Sequence, residues 1–442
     1  MPKLRPATGN PDRQRPRQTP APEIEHVLTR LREVLTPATF AAAREAHDTH
    51  RLRDRLLTLP AMTALVVALV YRQIPSLSEL TRVLALEGVL WLEPVPVTRQ
   101  ALSKRLQTLP AAIFARLFAA VVERQQTSVA SATDPTLPVW QRRLRERFGT
   151  VWIADGSTLE ALRGRPRPEG STSSTATLGG KMMMLVEAFS ARPVVALYEP
   201  DAALNDKHFT DAVRTRLPER GLLVFDMGFF SFPFFDAFTD SGRSFLTRLR
   251  EKTAYRTVRV LAEGPRYRDE VIEMGLYRSH PCEHPVRLVS VLWGTVWYRY
   301  ITNVLDPAEL SAQEVAALYR GRWRIEQSFA TTKRLLGLSY LWVGGHNGVE
   351  VQIYATWIFY AVLVDVSAEV AISLGEPVDR ISVEMVFRGL YHYSRAEARG
   401  EADDVVSFLV AHARLLGIVK ARRKGHRARD HEEEEIWGAL LS

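Results

Sequence analysis

"TVWIAD" (150–155) is a short apolar run that ends in an acid and is followed by glycine, and "GLLVFD" (221–226) repeats the arrangement with Gly228 two residues past its acid. Runs of this length, rich in apolar and β-branched residues, form strands buried on both faces. Between them lie "KMMMLVEAFS" (181–190) and "RPVVALYEP" (192–200), joined so tightly that the two strands are expected to be antiparallel. "NDKHFTDAVRTRL" (205–217) reads as a helix capped by Asn205, "SFPFFDAFTDSG" (231–242) turns the chain back, and "SFLTRLR" (244–250) supplies a fifth strand. The order β-β-β-α-β-α-β defines an α/β fold with a mixed sheet. Asp155 and Asp226 each close a strand. If those strands are neighbours, their C-terminal ends present both carboxylates at one edge, the usual ligand position in α/β sheets. The plainer alternative is that each acid caps an Asp-Gly turn.

"YRGRWRIEQSFATTK" (319–333) adds a third acid. The reading is of one helix that starts at Ala308 or Ser311 and runs to about Leu336. At about 100° per residue, Tyr319, Arg322, Glu326 and Lys333 fall in a strip roughly 60° wide. Leu318, Ile325, Phe329 and Leu336 face the core in this reading, and Arg320, Arg324, Gln327, Thr331 and Arg334 face water. The plain explanation of the strip is an Arg322–Glu326 ion pair one turn apart, which leaves Tyr319 and Lys333 unexplained. Three hard oxygen ligands from Asp155, Asp226 and Glu326 suit Mg²⁺ or Mn²⁺, with two ions serving an in-line phosphoryl displacement. Arg322 can fork onto a phosphate, Lys333 can act as a point charge, and Tyr319 can hydrogen-bond a phosphate oxygen.

The flanks read as helical. Leu28, Leu31, Val34 and Leu35 keep the 3–4 spacing, as do Leu102, Leu106 and Leu109. "SLSELTRVLAL" (76–86) precedes "VTRQALSKRLQTLP" (97–110), where Thr98 is a plausible N-cap and Arg99, Lys104 and Arg105 decorate the helix. A basic second helix of this kind suits a helix-turn-helix reader of DNA, although amphipathic helices with surface arginines are common. The segment 251–305 alternates β-branched and aromatic residues, as a strand-rich insertion does, and 349–372 is a mostly buried helix. The expected organisation is a disordered basic arm (1–22), a helical DNA-binding domain (23–145), a catalytic domain (146–375) and a helical C-terminal region with a basic tail (376–442).

The 442 residues carry a net charge of +8, with 46% hydrophobic and 24% charged residues, which are globular proportions. The basic excess favours a polyanionic partner. Cys282 is the only cysteine, so no internal disulfide is available. No secretory signal is evident, and the apolar runs Ala61–Tyr71 and Ala355–Val364 are too short to span a bilayer, so a cytoplasmic, nucleoid-associated protein is expected.

Taken together, "VWIADGS", "VFDMGFF" and the pattern Y-x2-R-x3-E-x6-K formed by Tyr319, Arg322, Glu326 and Lys333 resemble the DDE transposases of bacterial insertion sequences, in the IS-four family. The resemblance covers about 23–375 and has the β-rich insertion in its expected place. It implies an RNase H-like core and two divalent ions on Asp155, Asp226 and Glu326. It further implies a dimer that cleaves double-stranded DNA at transposon ends and transfers the 3′-OH into target DNA, with Arg322 and Lys333 holding end phosphates. In some members a tryptophan of the insertion stacks on a flipped base. Trp293 and Trp297 are the candidates for that role, with a core position the alternative for each. Two other readings remain: a catalytically silent DNA-binding protein derived from such an enzyme, and an RNase H-like nuclease without strand transfer.

Overall fold

The computed structural model describes residues 22–41, 43, 56–131, 137–159, 179–338, 341–342, 345–421 and 436, with the side chains of 127–131 and 334 left undescribed. The expected basic arm and most of the basic tail lie outside the described residues.

Nine strands form one mixed sheet in the order β3-β2-β1-β4-β5-β9-β8-β7-β6. Strand β1 (Val151–Thr158) pairs antiparallel with β2 (Lys181–Glu187), which pairs antiparallel with β3 (Pro193–Glu199). On its other side β1 pairs parallel with β4 (Leu222–Phe225), and β4 pairs parallel with β5 (Ser244–Arg248). The five strands read from 150–250 are all present. The strand-rich segment 251–305 supplies β6 (Tyr255–Gly264), β7 (Tyr267–Met274), β8 (Val286–Trp293) and β9 (Val296–Thr302). These extend the same sheet, because β9 returns to pair antiparallel with β5.

The first described helices are α1 (Glu25–Val34), α2 (Leu59–Tyr71), α3 (Leu77–Leu86), α4 (Arg99–Thr108), α5 (Ala111–Ser131) and α6 (Val139–Phe148). Ser76 and Thr98 cap α3 and α4 by accepting from the backbone N–H of Glu79 and Ala101. Residues 87–98 separate these two helices and contain an isolated bridge between Val89 and Leu92. That connection is longer than the three- or four-residue turn of a helix-turn-helix, so the two do not form that motif.

Inside the sheet region, Asn205 caps a 3₁₀ turn (Asp206–Phe209) that leads into α7 (Thr210–Arg216), rather than one continuous helix. Helix α8 (Phe232–Asp240) follows β4. Its Phe234, Phe235 and Phe238 pack with Phe225, Phe229 and Phe245 on one face of the sheet. Each fully buried side chain of this kind contributes about 1.5–3 kcal/mol relative to exposure.

The other sheet face is covered by α9 (Ala312–Gly321), α10 (Trp323–Ala330) and α11 (His346–Leu374). Alternate strand residues Ile153, Met182, Met184, Leu222, Val224 and Leu246 join a single core with α1, α2 and α5 and with the C-terminal helices α12 (Val383–Glu397) and α13 (Val405–Ala411). Helix α11 runs through its middle. The apolar run Ala355–Val364 is thus part of a helix of 29 residues, long and apolar enough to cross a bilayer. Helices α4 and α5 pass the same test if taken as one bent span. In this fold 67% of the apolar window of α11 is buried, packed chiefly against α2 and α5. Asn347, near its start, accepts from the N–H of Ala111 and donates to the carbonyl of Leu109, which pins the α4–α5 corner.

Among the described residues one charge pair lies wholly inside. Arg287 on β8 donates from Nε to Asp269 Oδ1 at 2.7 Å and from Nη2 to Oδ2 at 2.5 Å, and also to the carbonyl of Leu310. Arg287→Met leaves the Asp269 carboxylate buried and unpaired and should cost about 3–5 kcal/mol. Urea denaturation measures this, and the double variant Arg287→Met/Asp269→Leu should recover most of the loss.

Candidate active site

The parallel pairing of β1 with β4 aligns Ala154 with Phe225. The next residue on each strand is an acid, so Asp155 and Asp226 stand side by side at the C-terminal edge. Asp226 caps a turn as anticipated, its Oδ1 accepting from the N–H of Gly228 at 2.8 Å, but Asp155 does not close its strand: β1 continues past it, paired with β2, to Thr158, and Asp155 Oδ1 accepts from the N–H of the next strand residue, Gly156, at 2.9 Å. Among the described residues Asp226 meets no cationic side chain.

Glu326 comes to this edge from α10. The expected single helix is interrupted at Arg322, which ends α9 and begins α10 while keeping αR backbone angles. Gly321, with no side chain to favour helix, sits at the break. The last turn, Thr331–Leu335, is a π-helix, so an ideal helical wheel no longer places its side chains. Leu318, Ile325, Phe329 and Leu336 are buried as expected. Thr331, assigned to the wet side, is buried as well, and Arg324 is held by the carbonyls of Ala188 and Phe189 and by Asp379.

Arg322 is the hub of the site. Its Nη1 lies 3.4 Å from Asp155 Oδ2 and its Nη2 3.0 Å from Glu326 Oε1, while Nε is buried without a partner. The plain intrahelical pair is therefore present, and the same guanidinium also reaches the sheet. It lies 5.9 Å from the centre of the Tyr319 ring, which in turn packs on Tyr300 at 5.2 Å. Lys333 Nζ donates to the carbonyl of Thr158 at 2.7 Å, at the end of β1. Burial pushes the Asp155 carboxyl up to about 7, Arg322 opposes the shift, and the neighbouring charges of Asp226 and Glu326 add to it.

Among the described residues no three His, Cys, Asp or Glu side chains are grouped closely enough to hold a metal ion. The structure brings Asp155 and Asp226 together and places Glu326 across Arg322 from Asp155. The donor chemistry fits a hard divalent cation: two adjacent carboxylates are held together at a cost in burial and repulsion, which Arg322 and the Gly156 N–H partly offset at Asp155.

The remaining candidates fall elsewhere. Arg99 and Lys104 are exposed and Arg105 is half-buried on α4, whose packing partners are α3 and α11. Trp293 and Trp297 sit on opposite faces of the β8–β9 hairpin, because Trp293 pairs with Val296 and Trp297 with Leu292. Trp293 is half-buried with Arg320 4.9 Å from its ring centre, and Trp297 is 44% exposed. Two residues at the acidic edge were not singled out from sequence: Asp206, whose carboxylate lies against Gly156 and Gly228, and its partner Lys181, at 2.7 Å. The signal that could have found them is the glycine just past each of the two acids.

Residues 146–362, just under half of the chain, match a family model described as a transposase DDE domain. A Sinorhizobium fredii protein named "Putative transposase y4zB" is 27% identical over 183 residues, covering 38% of this chain. The chain spans about half the length of that relative, 51%. The cryo-EM structure of a piggyBac transposase synaptic complex with hairpin DNA is similar over 92% of this chain and 89% of its own, at 11% identity and a TM-score of 0.38.

The electrostatics of Asp155 predict a pH dependence. A carboxyl whose pKa is higher folded than unfolded takes up a proton on folding, so its ionisation removes stability as pH rises from its ordinary 3.8 through about 7. Without divalent cations, Asp155→Asn should gain on the wild type across that window, reaching on the order of a few kcal/mol at the alkaline end. Chemical denaturation at several pH values tests it, and a difference that does not change with pH contradicts it.

Proposed function

We propose that the chain is a DNA transposase of the IS-four kind, which cleaves transposon ends in double-stranded DNA and joins the freed 3′-OH to target DNA. The observation that carries this is the placement of Asp155 and Asp226 side by side where the parallel β1–β4 pairing ends, linked through Arg322 to Glu326. The 3-2-1-4-5 half of the sheet is read as an RNase H-like core. Asp155, Asp226 and Glu326 are the residues that would hold Mg²⁺, or Mn²⁺, as two ions. When bound, such ions activate the attacking oxygen and steady the leaving oxygen of an in-line displacement.

The chain's own groups supply the rest. Arg322 is the cation nearest the acids, and a DNA phosphate offers it a bidentate partner in place of the two carboxylates. Release from Arg322 frees Glu326 to join the aspartates. Lys333, at the end of β1, adds a second positive contact on the same strip, and the half-buried Tyr319 orients the Arg322 guanidinium through its ring face. The helical segment 23–145 is assigned to end recognition, with Arg99, Lys104 and Arg105 as backbone contacts, and the catalytic segment to 146–375. Trp297, exposed on its hairpin, is better placed than Trp293 to stack on an unpaired base. A homodimer would bring two ends together.

Asp155→Asn, Asp226→Asn and Glu326→Gln should each reduce end cleavage at least a thousandfold, on the order expected for loss of a metal ligand at a phosphoryl-transfer centre. Gel-shift affinity for the terminal repeat should change by less than about threefold, since end recognition lies elsewhere. A catalytically silent DNA-binding protein would show no magnesium-dependent cleavage to lose, and a simple nuclease would yield no joined product.

A further inference from the structure

The acid beside Asn205 is held in an unusual place. Asp206 opens the 3₁₀ turn after β3, and its carboxylate lies against the two backbone segments that carry Asp155 and Asp226. A Cβ added to Gly156 would meet Asp206 Oδ1 at 2.2 Å, and one added to Gly228 would meet Asp206 Oδ2 at 2.8 Å. Each carboxylate oxygen thus occupies the space a side chain would take on one of the two glycines. Neither glycine has the left-handed φ that would demand glycine for conformational reasons. Space for Asp206 explains Gly156, and at Gly228 the space is shared by Asp206 Oδ2 and Asp226 Oδ1, each 2.8 Å from an added Cβ.

These glycines are also the N–H donors to the site acids: Gly156 to Asp155 Oδ1 and Gly228 to Asp226 Oδ1. The Asp206 carboxylate therefore braces the β1 segment at Gly156 and the turn at Gly228, whose N–H groups hold each Oδ1 and leave each Oδ2 for the site. A third negative charge beside two others needs a counter-ion. Lys181 on β2 supplies it, with Nζ 2.7 Å from Asp206 Oδ1 and 2.8 Å from the carbonyl of Leu204.

We propose that Asp206 is a positioning residue for the Asp155–Asp226 pair, acting through Gly156 and Gly228 with Lys181 as its counter-ion. It rests on the pair being the cation-binding centre proposed above. The test is Mn²⁺ titration calorimetry on the full chain for the wild type, Asp206→Ala, Asp206→Asn, Gly156→Ala and the double variant Gly156→Ala/Asp206→Ala. Thermal melting confirms that each is folded. Asp206→Ala should weaken Mn²⁺ binding roughly ten- to a hundredfold, the scale of an outer partner of a ligand. Asp206→Asn keeps the shape and should retain more affinity than Asp206→Ala. Gly156→Ala should weaken binding alone yet add nothing to Asp206→Ala, because the new methyl enters the vacated space. Wild-type affinity in Asp206→Ala overturns the proposal, as do losses that multiply in the double variant or an asparagine no better than alanine. A wild-type chain that binds no Mn²⁺ overturns the cation-binding reading of the site itself, and this inference with it.

Discussion

The parallel pairing of β1 with β4 is the constraint on which the site depends. Antiparallel neighbours would send the two strand ends to opposite edges. Here Ala154 and Phe225 are in register, and the acids that follow them share one edge. The pairing is held by apolar faces on both sides, the phenylalanine cluster of α8 on one and the α9–α11 layer on the other. Two carboxylates are thereby forced together at low exposure, and the core supplies the free energy that keeps them there.

Arg322 answers that strain from a different part of the chain. A guanidinium with two forks reaches two carboxylates at once, which a lysine cannot do with the same geometry. Its position at the junction of α9 and α10 matters, because a residue at a helix joint can turn toward the sheet while its neighbours continue the buried face. Tyr319 and Trp323 flank its guanidinium, at 5.9 and 5.6 Å from their ring centres, and limit where it can swing.

Much of this was legible in the amino-acid order. The strand runs leading to Asp155 and Asp226, the buried stripe of Leu318, Ile325, Phe329 and Leu336, and the strands of 251–305 all follow from period and composition, although β1 continues past Asp155 to Thr158. What was not legible depended on departures from ideal geometry or on long-range contact. The break at Arg322 and the π-turn at Thr331–Leu335 defeat a wheel drawn at constant pitch, which points Thr331 to water although it is buried. Asp206 was hidden because a helix-cap reading of Asn205 accounts for its neighbourhood locally. Only the fold brings Asp206 against glycines in two other segments. The spacing of α3 and α4 suggested a compact DNA-reading pair, but residues 87–98 form a bridge of their own.

The way β9 comes back to β5 has a bearing on how such a chain can change. After Arg248 the chain crosses to the far edge of the sheet at β6 and works back through β7 and β8 to β9, where Tyr300 lies directly opposite Arg248, so departure and return are neighbours in space. Hairpins hung on such a closed gate can lengthen or shorten over generations without altering the distance between the acids on either side of them. The acidic edge and the outer hairpins are thus free to evolve at different rates within one continuous sheet.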